Sequence, residues 1–269
     1  MLMKCAVLGD PIAHSLSPIL HKAGYAALGL DWTYKARRVA SGGLEEFLAG
    51  CGPEWRGLSL TMPLKREAMA LVDTVTDRAR LAGAANTLVL DEGTIHGDNT
   101  DIPGAVAAIR ERYDGRVLSA TILGGGATAA SAALALCDLG ATDIRLLVRD
   151  ADRAADTVAA IHRHPSAPMV TVGSLADDFA EGEVLVSTIP ADAQTPDLVS
   201  RCDDVEVTFE VLYHPWPTPL ARATNGVLVG GLDLLVHQAA IQFSLFTGHE
   251  APLAEMRAAG EAELAARTV

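Results

Sequence analysis

Aromatic residues make up only 4% of this 269-residue chain, and cysteines number four. Cys5, Cys51, Cys137 and Cys202 stand far apart with no Cys-x-x-Cys pair. That spacing excludes a disulfide scaffold and a cysteine-based zinc module. No apolar run approaches the ~20 residues of a membrane span. The opening stretch Met1–Val7 has neither the basic lead nor the small-residue cleavage site of a signal peptide. Of eight histidines, only His162 and His164 are close in sequence, and no cluster of further ligands accompanies them. Cations are outnumbered, 21 Lys and Arg against 34 Asp and Glu, for a net charge of −13. A clustered positive face for a phosphate backbone is therefore not expected. The expectation is a soluble, reduced, cytoplasmic protein with no nucleic-acid or membrane partner.

What is present is ordinary globular composition, 49% apolar, with length enough for two domains at roughly 100–200 residues each. Short β-branched runs alternate with Ala/Leu-rich helical patterns, the mark of an α/β protein built around parallel sheets. In the first half, strands are expected at Lys4–Gly9, Trp32–Val39 and Gly57–Thr61, with a hairpin over Thr87–Leu90 and Thr94–Gly97. A helix opens at Ser17-Pro18, with Ser17 as N-cap and Pro18 at its first position, and another covers Leu64–Val72. After a helix at Ile102–Arg112 a second series begins: strands at Val117–Leu123, Asp143–Val148, Val184–Ser187 and Val205–Phe209, helices at Ala127–Leu139 and Ala151–His162. Two helices, Leu232–Phe246 and Pro252–Ala266, close the chain.

Thr121-Ile122-Leu123-Gly124-Gly125-Gly126-Ala127-Thr128-Ala129 runs from a strand through glycines into a helix, with Gly-x-Gly-x-x-Ala spacing. Glycines let the chain turn sharply and let a pyrophosphate approach backbone N–H groups, while the helix start carries partial positive charge. The following strand ends at Arg149-Asp150, with Arg153 beyond. An acid there suits the ribose hydroxyl of NAD and an arginine suits the phosphate of NADP. Two arginines against one aspartate lean towards NADP, although Asp150 could also serve as a helix cap.

Four first-half segments carry more polar groups than packing requires: Ser15–Pro18, Leu60–Lys65, Gly83–Thr87 and Asn99–Asp101. Taken one at a time they have plain structural roles, with Ser17 and Asp101 as caps, Asn86 as a turn residue and Lys65 as a surface lysine. In order, however, Ser-x-Ser-Pro, Thr-x-Pro-x-Lys, Gly-Ala-x-Asn-Thr, Asn-Thr-Asp, the glycine turn, the Tyr213–Leu220 segment and Gly231–Gln238 resemble shikimate dehydrogenases across essentially the whole chain.

The resemblance implies reduction of 3-dehydroshikimate to shikimate with NADPH, in the biosynthesis of chorismate and the aromatic amino acids. It implies an N-terminal α/β substrate domain over residues 1–103, completed by C-terminal helices from about residue 235 to 269. Residues 104–234 would form a doubly wound, Rossmann-type NADP domain. It implies Lys65 as acid/base paired with Asp101. Ser15, Ser17, Thr61, Asn86, Asp101, Tyr213 and Gln238 would hold the substrate. Gly124, Gly125, Gly126, Ala127 and Thr128 would take the pyrophosphate; Arg149 and Arg153, beside Asp150, the adenosine phosphate. Asp77, Thr188, Val211 and Gly231 match further cofactor positions. The partner is then a small molecule, no metal is called for, and the protein is a monomer or homodimer.

Several residues depart from the pattern. Ser59 stands where an Asn is usual, Ala127 replaces a glycine, Glu210 replaces an Asp, and Asp233-Leu234 replaces a Gly-Met pair. Asp150 sits where a 2′-phosphate would lie nearby and weakens the expectation of strict NADP use. The alternatives are a quinate/shikimate dehydrogenase preferring NAD, against which Ser17 speaks, and a catalytically silent nucleotide-binding domain, against which the Lys65/Asp101 pair speaks.

Overall fold

The computed structural model describes residues 2–267. Met1, Thr268 and Val269, which fall within the expected domain limits, lie outside the described residues. The chain divides into two compact units, one of residues 1–100 and 235–269, the other Asp101–Leu234.

The first unit holds β1 (Met3–Gly9), α1 (Ser17–Ala27), β2 (Trp32–Arg38), α2 (Leu44–Ala49), β3 (Trp55–Leu60), α3 (Leu64–Glu67), β4 (Thr74–Val75), α4 (Asp77–Ala82), β5 (Thr87–Asp91) and β6 (Thr94–Asp98). Its sheet has the order β2-β1-β3-β5-β6-β4. β1 runs parallel to β2 and β3, while β5 is antiparallel to both β3 and β6, so this sheet is mixed, with the expected β5–β6 hairpin as part of its antiparallel side. The reason is the tight turn at Glu92-Gly93, both residues at positive φ (48° and 84°), which sends β6 straight back along β5 without a crossover helix. That reversal matters for function. The C-terminal ends of β1, β3 and β6 and the start of β5 all fall at one end of the sheet.

The second unit contains α5 (Asp101–Arg112), β7 (Ser119–Leu123), α6 (Ala127–Leu139), β8 (Asp143–Val148), α7 (Ala155–His162), β9 (Met169–Ser174), β10 (Val184–Ser187), α8 (Pro196–Ser200), β11 (Val207–Glu210), α9 (Pro219–Ala223) and β12 (Val227–Val229). All six strands are parallel in the order β12-β11-β10-β7-β8-β9, the doubly wound arrangement with its switch point between β7 and β10. α6 is buried continuously from Ala129 to Cys137. Its alanines let neighbouring backbones come close.

α10 (Gly231–Thr247) begins in the second unit and runs into the first, and α11 (Leu253–Arg267) packs on α1. Gly57 on β3 makes room for α10: a Cβ there would stand 2.2 Å from the Phe246 ring. The same helices bury His21, fully inaccessible, stacked on Tyr34 with ring centroids 4.1 Å apart and planes 10° apart.

Burial drives the His21 imidazole down from 6.5 to about 3, so it is neutral across the physiological range. The unfolded chain takes up a proton near 6.5, the folded chain only near 3, so this group's contribution is whole above 6.5 and is lost as pH falls through that window. His21→Phe keeps a ring against Tyr34. It should flatten the loss of stability between about pH 6.5 and 3, which for wild type runs to about 1.4 kcal/mol per pH unit. Urea midpoints measured across the window check this.

Candidate active site

In the first unit the polar motifs gather at the sheet end where β1 and β3 finish. Gly9 closes β1; a Cβ there would lie 2.4 Å from Thr61 Cγ2 and 2.9 Å from the Met62 carbonyl oxygen. Only glycine lets these two strand ends lie side by side, with Thr61 N–H donating to Leu8 O and Asp10 N–H to Met62 O, both 2.9 Å. Lys65 sits half-buried in the first turn of α3, its carbonyl accepting the Ala85 N–H (2.8 Å). Ser17 is not a cap, contrary to expectation. Leu16 occupies the N-cap position with no side-chain bond, and Ser15 Oγ accepts the Ser17 N–H (3.3 Å). The Ser15 hydroxyl has taken the local role, leaving the Ser17 hydroxyl, buried at 4% exposure, unspent on the helix start.

Asn86 is the hub of this end. Its backbone bridges Leu60 N–H (2.7 Å) and Asp98 O (3.0 Å). Its Oδ1 accepts from Thr100 N–H (2.8 Å) and Thr87 Oγ1 (2.7 Å), and its Nδ2 donates to Thr100 Oγ1 (3.0 Å) and Gln238 Oε1 (3.4 Å). Gln238 in turn donates to Leu235 O (3.0 Å). Asp98, 6% exposed, anchors the turn before Asn99: Arg78 grips it bidentately, Thr76 Oγ1 adds a bond (2.7 Å), and Asn99 N–H another (2.7 Å). Burial alone would raise this carboxyl; the Arg78 and Thr76 bonds outweigh it and hold it below its ordinary range. Asp77 opens α4, exposed and paired with Arg80.

The second unit carries the rest. Asp101 is the first residue of α5 and nearly buried, at 8% exposure. The three glycines after β7 serve different ends. Gly124 has φ +110°, and a Cβ there would stand 2.4 Å from Thr188 Oγ1, which itself donates to Leu123 O (2.7 Å). At Gly125 a Cβ would press to 3.0 Å on the Ala154 backbone, so this position lets the next element pack. Gly126 faces open space, at the N-cap of α6, ahead of the free-ended N–H groups of Ala127 and Thr128. Thr157 of α7, fully buried and missed in the sequence, pins this turn by donating to Gly125 O (2.8 Å). Arg149 and Arg153 are exposed, whereas Asp150 Oδ1 accepts the Asp152 N–H (3.1 Å) in a local turn.

Tyr213 and Val211 belong to the segment after β11, fastened by Glu210. This fully buried carboxylate accepts from Leu212 N–H (3.1 Å), Gln194 Nε2 (2.7 Å) and Thr218 Oγ1 (2.8 Å). Burial pushes its carboxyl up while these bonds pull the other way. Gly231 admits no side chain, since a Cβ would meet Val211 O at 2.4 Å. Asp233, where the family pattern has glycine, holds the Gly230 N–H (3.0 Å) and pairs with Arg112 (2.9 Å). Thr157 and Asp98 were silent in the sequence because polar residues at strand and helix ends are common, whereas Glu210 and Asp233 stood out only as departures from the family pattern. The structure brings the first-unit residues Thr61, Lys65 and Asn86 to one strand end and gathers Gly124–Thr128 and Thr188 at the β7/β10 switch point.

A Rossmann-type nucleotide unit together with a polar α/β unit defines a nicotinamide-nucleotide oxidoreductase. Family models described as "Shikimate dehydrogenase substrate binding domain" and "Shikimate 5'-dehydrogenase C-terminal domain" match residues 7–88 and 231–259. The shikimate dehydrogenase (NADP(+)) of Caulobacter vibrioides is 34% identical over 270 residues, 90% of this chain and 88% of that one. Among solved structures, Mycobacterium tuberculosis shikimate dehydrogenase is 42% identical with a TM-score of 0.87, covering 97% of this chain and 99% of that one. The Thermus thermophilus enzyme in complex with NADP(H) and shikimate is 28% identical with a TM-score of 0.85, covering 97% and 99%. The chain belongs to the shikimate dehydrogenase family.

Asp98→Asn should cost about 1.5–3 kcal/mol at neutral pH, the range for hydrogen bonds to a charged group. The folded carboxyl loses its proton at lower pH than the unfolded one, so its contribution is complete above the ordinary carboxylate range and vanishes as pH falls through the lowered value. Denaturant midpoints of wild type and variant should therefore converge in acid. Parallel curves would assign the effect to packing.

Proposed function

We propose that this chain catalyses the reversible, NADP-dependent interconversion of 3-dehydroshikimate and shikimate, within the route to chorismate and aromatic amino acids. The observation that carries this reading is the gathering of Thr61, Lys65 and Asn86 at one end of the first sheet, with Gln238 bonded to Asn86. Family membership supports it, and the Thermus relative holds NADP(H) and shikimate. Among the described residues no helix is long and apolar enough to cross a membrane. We place the enzyme in the cytoplasm as a monomer or homodimer, with the unit of residues 1–100 and 235–269 as substrate domain and Asp101–Leu234 as nucleotide domain.

NADPH, when bound, supplies the hydride that reduces the ketone. The residues present fit such a group: Gly126 is open, Gly124 needs its glycine backbone, and the α6 N-terminus offers N–H donors to a pyrophosphate. Arg149 and Arg153 are the cations for the 2′-phosphate. Thr188, Val211 and Gly231 would flank the nicotinamide, Gly231 because it alone admits close backbone approach; Asp77 is a further contact implied by resemblance. Lys65 carries the proton. Its ammonium donates to the oxygen on which charge develops as the ketone is reduced, and Asp101 orients it. Hydroxyls and amides (Ser15, Ser17, Thr61, Asn86, Tyr213, Gln238) suit a polyhydroxylated anionic ring, since a missing hydroxyl leaves one of them unpaired.

The assay follows reduced nicotinamide absorbance with shikimate and quinate, each with NADP and NAD. Turnover fastest with shikimate and NADP is expected; quinate with NAD as the best pair would replace this reading with the quinate dehydrogenase one. Lys65→Ala should lower kcat by at least about 100-fold, the lower bound for losing acid/base catalysis, and change shikimate KM far less. Retained kcat would remove Lys65 from the role.

Cofactor preference follows from charge. Asp150 is engaged by the Asp152 N–H, so two cations face the phosphate against one partly occupied anion. Arg149→Ala should cut the NADP-to-NAD ratio of kcat/KM by about tenfold, one charge-assisted bond's worth. Asp150→Thr, whose hydroxyl can rebuild the turn, should widen the ratio by less than about threefold. A larger gain from Asp150→Thr would show the carboxylate repelling the phosphate directly.

A further inference from the structure

Among the described residues the two sheets end on β2, β4, β12 and β9, and only β9 is both long and uncharged. β2 carries Lys35, Arg37 and Arg38, all exposed, and these cations would repel a second β2 laid beside it. β4 and β12 have two and three residues. β9 reads Met-Val-Thr-Val-Gly-Ser, with Met169 64% and Val172 43% exposed. An exposed apolar edge strand without charges is a template for pairing with another strand.

The hydrogen bonds of β9 set how much of that edge is open. Met169 and Leu175 donate their N–H groups to Thr142 O (2.7 Å) and Val148 O (3.0 Å) on the β8 side, so the odd-numbered residues face inward. Alternate residues of a strand direct their peptide groups to opposite sides, so Val170, Val172 and Ser174 face outward. Ser174 is already engaged: its N–H donates to Asp178 Oδ2 (2.8 Å) and its carbonyl accepts the Asp178 N–H (3.0 Å). At the other end Pro168 has no N–H to give. The open edge is therefore Val170 and Val172, closed on both sides.

An antiparallel copy of the same strand matches open groups to open groups in one register, with the two-fold axis at Thr171. Val170 then faces the partner's Val172, and the two exchange both of their N–H···O bonds; symmetry repeats the exchange. The closed ends meet each other, Pro168 opposite the partner's Ser174. An axis at Val170 or Val172 would instead set an open valine against a closed position. The side chains agree with the Thr171 register. On one face Val170 and Val172 form apolar β-branched pairs across the axis, and on the other Met169 lies opposite glycine, Gly173. Exposed Arg163 precedes the strand and exposed Asp177 follows it, so antiparallel pairing brings opposite charges towards each other.

We infer that β9 is the pairing edge of a homodimer, two copies joining antiparallel about Thr171 into one continuous sheet. An isologous contact of this kind uses up the edge in both copies, so assembly stops at two. It is a small contact, of the class that associates reversibly. None of the residues assigned to substrate or cofactor takes part, so the pairing holds whichever substrate the chain turns over.

Analytical ultracentrifugation of the full chain should give a mass approaching twice 28.1 kDa at high protein concentration and falling towards 28.1 kDa on dilution. Val172→Lys sets a cation against the partner's Val170 and should weaken the dimer at least about tenfold, with circular dichroism verifying the fold. Thr171→Cys should form an inter-chain disulfide under mild oxidation, because non-hydrogen-bonded antiparallel pairs have Cα atoms about 4.5 Å apart, within disulfide reach. Met169→Cys should not, since its two copies would stand four residues' rise apart, about 14 Å. Wild type, whose cysteines are buried or half-buried, controls for native thiols. Wild type that stays monomeric at about 100 µM overturns the pairing and leaves the edge to a strand of another protein. A dimer that survives Val172→Lys and leaves Thr171→Cys uncrosslinked overturns it too, by placing the contact on another surface. If Val172→Lys does not fold, the two cysteine variants decide.

Discussion

An asparagine buried to 2% exposure must fill the hydrogen-bonding positions of both its backbone and its side-chain amide from the protein, and at Asn86 they are filled from four directions. β3 supplies Leu60 N–H and β6 the Asp98 carbonyl. The loop after β6 supplies Thr100, and α10 supplies Gln238 and Gln242. The arrangement requires the antiparallel return of β6, because a parallel strand would deliver Thr100 to the opposite end of the sheet. It also requires α10 to lie close, which Gly57 permits by having no Cβ. The mixed sheet, the close helix and the site are thus one constraint seen at three scales.

The second unit solves a different problem with different means. A pyrophosphate needs backbone N–H groups and space, and side chains supply neither. Gly124 bends the chain in a region closed to other residues, Gly126 leaves the approach open, and Thr157 and Thr188 tie neighbouring carbonyls down by hydroxyl bonds. Tying down the carbonyls turns the peptide N–H groups the other way. Rigidity of the turn therefore comes from threonines outside the glycine motif, one of them on α7.

Much of this was legible beforehand, and the failures have physical reasons. The β/α alternation, the Asp91–Gly93 hairpin turn and the strand–glycine–helix unit follow from local periodicity and turn chemistry. The antiparallel pairing of β3 with β5 did not, because pairing direction between distant strands is non-local. β9 was missed as an exposed edge strand lacking the buried alternation that marks strands, and β4 and β12 are too short to carry a period. Ser17 misled because Ser before Pro is a good cap signal, yet the helix starts a residue earlier and Ser15 takes the bond. Of the candidate site, residue types were readable from motifs. Their supports, Asp98 with Arg78 and Glu210 with Gln194 and Thr218, were not, since each pairs residues remote in sequence or unremarkable in type.

Such buried polar groups are a costly way to hold a fold, and an apolar core of the same volume would serve stability as well. What an apolar core cannot do is distinguish donor from acceptor. Around Asn86 the Thr100 peptide N–H can only donate, which turns Oδ1 towards it and Nδ2 the other way. Discrimination by hydrogen bonding depends on that certainty: a ligand lacking the matching atom leaves a buried donor unpaired, a loss larger than a missing methylene brings. The acid lability expected of His21, neutral among the rings of Tyr34, Phe243 and Phe246, is a consequence of the same design. Burying groups deeply enough to fix their orientation also removes them from the solvent that would otherwise stabilise their charge.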